Sequence, residues 1–338
     1  MCDDYPHEVI TRRAGVPSTS GKPFVMWALL TINLGAWLAV SIVGSTEDPE
    51  LLLDFGAMFG PLVAQGESWR LLTALFLHVG IPHLAFNSLA LFMFGQLVEG
   101  LYGHTKFIII YMVSGLAGSI ASYTLSPIGL SVGASGAIFG VLGAFGAYFV
   151  AQRHMLGTFA QRNLIAIVFL AAVNLIYGLI TPGIDNWAHL GGILGGSCIG
   201  FILAPRFRIL NSLSFGLPKV LVDVNPLTKR WWIAPVAGSV LLIGFLQFGL
   251  GQSDNPYAYA LESERHLEDS NYEAALEAVN AAIALDTTFA EGYFIRGVVL
   301  NGMGDIKGAR SDFGRAFQLG NRNTRGKALT HLLALETH

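Results

Sequence analysis

"GASGAIFG" occupies Gly133–Gly140 within a long apolar stretch, and its one polar side chain is Ser135. A serine inside a membrane helix readily bonds back to its own helix's carbonyls. Gly136 and Gly140 have the small-xxx-small spacing that lets two helices touch. Taken alone, the octapeptide is therefore a packing face. It becomes a reactive site only if a base lies at the same depth.

The surrounding composition belongs to a membrane chain. Of 338 residues, 53% are hydrophobic and only 13% charged, with 40 glycines, whereas a soluble domain carries about 25% charged residues. A formal net charge of -3 points to no nucleic-acid partner. Cys2 and Cys198 are too few for a disulfide framework, and they lie in regions of opposite polarity. Residues 1–23 are polar and of mixed charge, and are expected to form a cytoplasmic N-terminal segment. The apolar run that follows is too long for a signal-peptide core and suits a spanning helix. Asp3, Asp4 and Glu8 argue against an organelle transit peptide.

Seven apolar segments reach the length of about 20 residues that a crossing takes. They lie near 24–44, 79–98, 106–125, 133–152, 163–181, 186–204 and 231–250. The loop after the first contains the apolar run 51–60, too short to cross and expected to lie in the membrane interface. The fold class is thus all-α, a polytopic membrane helical bundle with six core spans over 24–204, a cytoplasmic linker over 205–230 and a seventh span. Lys and Arg cluster before the first span, between the fourth and fifth, and before the seventh, while 45–68 carries five acidic residues and no cation. That bias puts the N-terminus in the cytoplasm, and seven crossings then put the C-terminal module outside.

From about Asn255 the chain changes character. The segment 271–286 has an amphipathic helical pattern, and a 34-residue period aligns Ala275 with Ala309, Val279 with Phe313 and Ala282 with Ala316. The period resembles tetratricopeptide repeats, here about two units. A plain helical hairpin is the alternative. Either way, residues 255–338 are expected to be a soluble helical repeat module that binds a peptide or a partner helix.

Ionisable side chains in spans are site candidates, because the bilayer makes them costly. "NWAHLGGILGG" (186–196) places His189 about one turn below the outer end of the sixth span. Ser135 stands near the outer end of the fourth, at a similar depth on the same side. Gly192 and Gly196 make a smooth face below His189, as Gly136 and Gly140 do below Ser135. Two such faces allow close backbone approach, and a base within reach is what a serine hydroxyl needs to become nucleophilic. In the second span His83 and Asn87 are four residues apart, hence on one face, and both are suitable donors to an oxyanion. Read as a metal site, His78, His83 and His189 lack a neighbouring carboxylate and an H-E-x-x-H pattern. Neither metal nor cofactor is expected.

With these residues assembled, the sequence resembles the rhomboid intramembrane serine proteases. The resemblance runs from about Phe59 to Leu203, through "ESWRLLTALFLH" (67–78), "HLAFN" (83–87), "GASG" (133–136) and "AHLGGILGG" (188–196), in that order. It implies that Ser135 is the nucleophile and His189 the general base, a dyad without an orienting aspartate. It further implies an oxyanion hole of His83, Asn87 and the Ser135 backbone N–H. Gly133 would keep the backbone open to substrate, and Phe139 would stack on the histidine where the family commonly has tyrosine. Trp69 and Arg70 would be structural, with Glu99 in the same polar network. The implied substrates are transmembrane helices of single-span membrane proteins, admitted from the bilayer past the second and fifth spans, with the loop 181–186 as a cap. A bacterial plasma membrane and a protein partner at the C-terminal repeats complete the expectation. The rival readings are a catalytically inactive scaffold or chaperone for transmembrane helices and a small-solute transporter. The transporter predicts internal inverted symmetry that the sequence lacks.

Overall fold

A computed structural model describes residues 12–13, 16–17, 21–126, 129–210, 220–229, 231–249 and 255–335. Most of the 1–23 segment, including Cys2, and residues 211–219 of the expected linker lie outside them, as does Leu250 at the end of the seventh expected span. The described chain is all but entirely helical, and two units can be distinguished.

The first unit holds residues 1–59 and 68–246. Five of its helices are long and apolar enough to cross a membrane: α1 (Phe24–Val43), α2 (Gly80–Tyr102), α3 (His104–Leu125), α5 (Arg153–Ile180) and α6 (Asn186–Leu203). Two shorter apolar helices, α4 (Ser135–Ala151) and α7 (Ile233–Gly249), lie where the fourth and seventh spans were expected. The chain is an integral membrane protein. Large apolar side chains face outward on α1 and α5, where Ile42 is 84% and Leu179 77% exposed. That surface is stable only against hydrocarbon.

The buried core lies around α4, which packs against α3, α5 and α6. Glycine sets how close these helices come. A methyl at Gly192 would overlap the Gly136 carbonyl, one at Gly196 would overlap the Gly140 carbonyl, and one at Gly200 would sit 2.6 Å from Ala144 Cα. Gly118 and Gly136 approach the Ala188 carbonyl from α3 and α4, with Cβ positions 2.6 and 3.3 Å away. Backbones can meet this closely only where no side chain separates them.

Polar groups at helix ends find specific partners. The Glu99 carboxylate, fully buried, accepts the N–H groups of Val25 (3.0 Å) and Met26 (2.7 Å) and meets His104 Nδ1 at 2.5 Å. An acidic group from α2 thereby caps the first turn of α1, whose own N-terminal donors have no intrahelical acceptor. A π-helical turn at Leu91–Gly95 interrupts α2, and α5 breaks near its start at Gly157, where φ is +53°. Two short antiparallel pairs add β1 (Arg12–Arg13) to β2 (Val16–Pro17) and β3 (Phe207–Leu210) to β4 (Val220–Asp223).

The apolar run 51–60 packs partly into the protein: Leu52, Ala57 and Met58 are at most 1% exposed, and Leu52 and Ala57 pack with Val40 and Leu77. Met58 also pairs through its backbone with Ser131, just before α4.

The second unit contains Gly60–Glu67 and residues 247–338. Its helices are α8 (Pro256–Glu268), α9 (Tyr272–Leu285), α10 (Ala290–Gly302), α11 (Ile306–Leu319) and α12 (Arg322–Ala334). Asn255, Asn271, Asp305 and Asn321 cap four of them through side-chain oxygens, as short polar residues at N-caps do. Ala275, Val279 and Ala282 are fully buried, and so are Ala309, Phe313 and Ala316 one 34-residue period later. Asp312 pairs with Arg296 through two bonds of 2.6 and 2.9 Å, tying α11 to α10.

Gly196→Ala is expected to destabilise the membrane unit by about 1–3 kcal/mol or more, as overpacking does, because its methyl would overlap backbone. Gly35→Ala, with nothing within 4 Å of its Cβ position, should be neutral. Thermal unfolding of both variants in detergent measures the contrast.

Candidate active site

Ser135 opens α4, and that position decides what its hydroxyl can do. Elsewhere in the spans Thr31, Ser41 and Thr124 donate to the carbonyl four residues back in their own helices. Ser135 has no preceding helical turn to bond with. Its Oγ lies 2.9 Å from Nε2 of His189, on the first turn of α6. The N–H groups of the first turn of α4 likewise lack intrahelical acceptors, and the positive end of the helix dipole faces the same place.

The His189 ring is buried and stacked on Phe139, with centroids 4.2 Å apart and planes 12° from parallel. Its Nδ1 has no hydrogen-bond partner among the described residues. Asp185 is engaged elsewhere, accepting from Ala188 N (2.9 Å) and from Ser122 Oγ (2.5 Å). It caps α6 and ties that cap to α3. The geometry is thus a serine–histidine pair with an aromatic ring holding the imidazole plane.

Gly133 precedes the serine with φ +126°, a left-handed value that disfavours any side chain. A methyl there would also lie 2.8 Å from both Cε1 and Nε2 of His83. The His83 imidazole therefore rests against the backbone turn that leads into Ser135. Asn87, buried one turn further along α2, donates one of its two amide hydrogens to the His83 carbonyl at 3.0 Å. Gly133 N donates to the Ala74 carbonyl at 2.9 Å, which anchors the turn to the loop before α2.

Trp69 and Arg70 lie outside this cluster. The Arg70 guanidinium stacks over the Trp69 ring at 4.6 Å and donates to the carbonyls of Leu53 (2.5 Å) and Ala57 (3.2 Å). It fastens the loop that carries Met58 towards α4. Ser122 and Ala74 were not legible as site-shaping residues. One acts through a distant carboxylate, and the other only through its main chain. A cavity of about 460 Å³ between α4, α5 and α6, lined by Gly143, Ile167, Ile193, Ser197 and Phe201, begins two turns from Ser135 and holds no ionisable side chain.

His78 is buried beside this cluster, its ring centroid 5.2 Å from that of His83 and its Nδ1 3.2 Å from the Phe76 carbonyl. Burial first, and then His83, lower its pKa from 6.5 to about 3, against the pull of that carbonyl. The unfolded chain protonates the same side chain near pH 6.5. Between these values the unfolded state binds more protons, so folded-state stability is lost as pH falls. The apparent melting temperature should decline from pH 7 to pH 4, and His78→Phe should flatten part of that slope. An unchanged slope would assign the dependence to other groups.

Comparison with known proteins agrees with this architecture. The Rhomboid domain family matches residues 65–206. The chain is 36% identical over 266 residues to Rhomboid protease GluP of Bacillus subtilis (strain 168), which covers 78% of this chain and 48% of that protein. It is 41% identical over 152 residues to RHOMBOID-like protein 6, mitochondrial, of Arabidopsis thaliana, covering 44% of this chain and 48% of that one. The chain thus spans about half the length of these two relatives. With YdcA, a rhomboid of the same Bacillus strain, it shares 37% identity over 145 residues, 43% of this chain and 71% of the relative. Agreement at that level over most of a whole relative, with the family's match spanning the helices that hold Ser135 and His189, makes this chain a member of the rhomboid family.

Proposed function

We propose that this rhomboid is an intramembrane serine endopeptidase that cleaves transmembrane segments of single-span membrane proteins near the outer membrane face. The observation that carries the reading is the 2.9 Å contact between Ser135 Oγ and His189 Nε2, within the reach a nucleophile and its base require. In this mechanism Ser135 Oγ attacks the scissile carbonyl carbon while His189 Nε2 takes the hydroxyl proton. The oxyanion accepts hydrogen bonds from the Ser135 N–H and from the side chains of His83 and Asn87. His189 then gives its proton to the leaving amine, and the acyl-enzyme forms. Water, deprotonated by His189, hydrolyses the ester and restores the serine.

The pair works as a dyad, because Asp185 is occupied by the cap of α6 and by Ser122. The Phe139 stack supplies the ring orientation that an aspartate gives in a triad. Gly133 leaves room for the substrate backbone beside Ser135. A transmembrane helix hides its carbonyls in its own bonds, so cleavage should favour segments weakened by glycine or other helix-breaking residues.

The chain's orientation follows the lysine and arginine bias, with the N-terminus cytoplasmic and residues 255–338 outside, in a bacterial plasma membrane. That module is a tetratricopeptide-like platform for substrate or a protein partner. The support is the matched burial of Ala275, Val279 and Ala282 with Ala309, Phe313 and Ala316.

A fluorophosphonate probe should label the wild-type protein in proteoliposomes. Ser135→Ala should abolish labelling, and His189→Ala should slow it by a factor on the order of 10³ or more. Labelling that survives Ser135→Ala would identify a different nucleophile and sink the dyad. Deleting residues 255–338 should change turnover of long substrates while a short model substrate is still cleaved. Equal cleavage of both would remove the docking role.

A further inference from the structure

The far ends of α4 and α6, opposite Ser135 and His189, carry a set of buried polar side chains that the reaction does not use. The Tyr102 hydroxyl, at the end of α2, lies 2.8 Å from the Ala144 carbonyl of α4 and 3.1 Å from the Gly200 carbonyl of α6. One O–H is thus shared between the two helices, and the residue is 2% exposed. Asn225 Nδ2 donates to the carbonyls of Ile202 (3.1 Å) and Ala204 (2.7 Å), which close α6. Gln152, just past α4, donates through Nε2 to the Pro205 carbonyl. Lys106 Nζ holds the Asn225 segment by bonds to Asp223 Oδ2 (3.2 Å) and the Asn225 carbonyl (2.9 Å). Asp223 and Asn225 lie beyond the residues that the family matches.

We propose that this cluster is a register lock for the two helices that bear the serine and the histidine, with Tyr102 and Asn225 as positioning residues. The contact face between α4 and α6 is made of Gly136, Gly140, Gly192, Gly196 and Gly200. Such a face fixes how close the helices come, but beyond the Phe139–His189 stack it is crossed only by the small side chains of Ala144 and Ser197, which interlock little against sliding along the axis. Directional bonds from one hydroxyl to both helices resist that slide. One residue of slip is about 1.5 Å, and a displacement of about 1 Å at a reacting centre can reduce rate 10²-fold.

The proposal rests on the catalytic reading of Ser135 and His189, and the test separates the two. Tyr102→Phe keeps the ring and removes only the hydroxyl, and Asn225→Ala is the second variant should the first fail to fold. The full chain, with Cys2→Ser and Cys198→Ser, receives spin labels at Leu190→Cys and Val150→Cys, on opposite ends of α6 and α4. The distance between them reports sliding without reference to activity. Tyr102→Phe should shift or broaden that distribution, and in the unlabelled chain it should slow fluorophosphonate labelling of Ser135 about 10-fold or more at temperatures well below its melting point. An unchanged distance distribution overturns the lock. A shifted distribution with labelling within twofold of wild type overturns the positioning role. A wild type that does not label overturns the hydrolase reading instead, and the distance measurement still decides the lock.

Discussion

Close approach of backbone to backbone between α4 and α6 is the constraint on which the rest of the structure depends. In hydrocarbon, helices gain nothing by burying apolar surface against one another, so association must come from packing and short polar contacts. Where Gly192 meets the Gly136 carbonyl and Gly196 meets that of Gly140, no methyl could be inserted. The same proximity brings an imidazole on one helix to 2.9 Å from a hydroxyl on the other. Any wider spacing, such as leucine packing would give, would leave the two side chains on neighbouring helices with a gap between them. The glycines are therefore part of the site as much as of the fold.

A second constraint is the place of the serine in its helix. A hydroxyl in mid-span has a nearby carbonyl acceptor in the preceding turn, and Thr31, Ser41 and Thr124 all take it. Beginning the helix at Ser135 removes that option and leaves first-turn N–H groups without intrahelical acceptors at the same place. Gly133, with its left-handed φ, is what allows the chain to turn into the helix there while the His83 ring lies against it. A hydroxyl, an imidazole and N–H donors are thereby gathered with a few side chains. Asp185, four residues before His189, is engaged in holding the helix start.

Much of this was legible in the sequence, and the reason is physical. Spacing of four between glycines and the lysine and arginine bias together place Ser135 and His189 at one depth, because helical geometry and bilayer thickness leave few alternatives. The aromatic ring on the histidine was legible only through the family resemblance, since Phe139 among so many apolar residues carries no signal of its own. Three features were hidden. Glu99 caps α1 through two main-chain N–H groups, and main-chain partners leave no trace in residue type. The run 51–60 reads only as too short to cross, and the packing of Leu52 and Ala57 against Val40 and Leu77 depends on contacts distant in the chain. Asn225 falls in what composition marks as a linker, and only the chain's return to the end of α6 gives it a role.

The distribution of fixed and open contacts along α4 and α6 follows from what each end must do. On the proposed function, the end bearing Ser135 and His189 admits water and a stretch of substrate backbone, which a closed network of buried bonds would prevent. The side chains of Ser135 and His189 are themselves held by a ring stack and a single hydrogen bond, while Asp185 and Gly133 anchor the backbone around them. The opposite end faces no such demand. There Tyr102 and Asn225 bond to carbonyls in and just past the last turn of α6, which in an apolar medium need a donor because the helix no longer supplies one, and Tyr102 also reaches Ala144 of α4. Satisfying those carbonyls and fixing the relative position of the helices are the same act. Bonds that fix the helices at one end thus help hold the 2.9 Å geometry of Ser135 and His189 at the other.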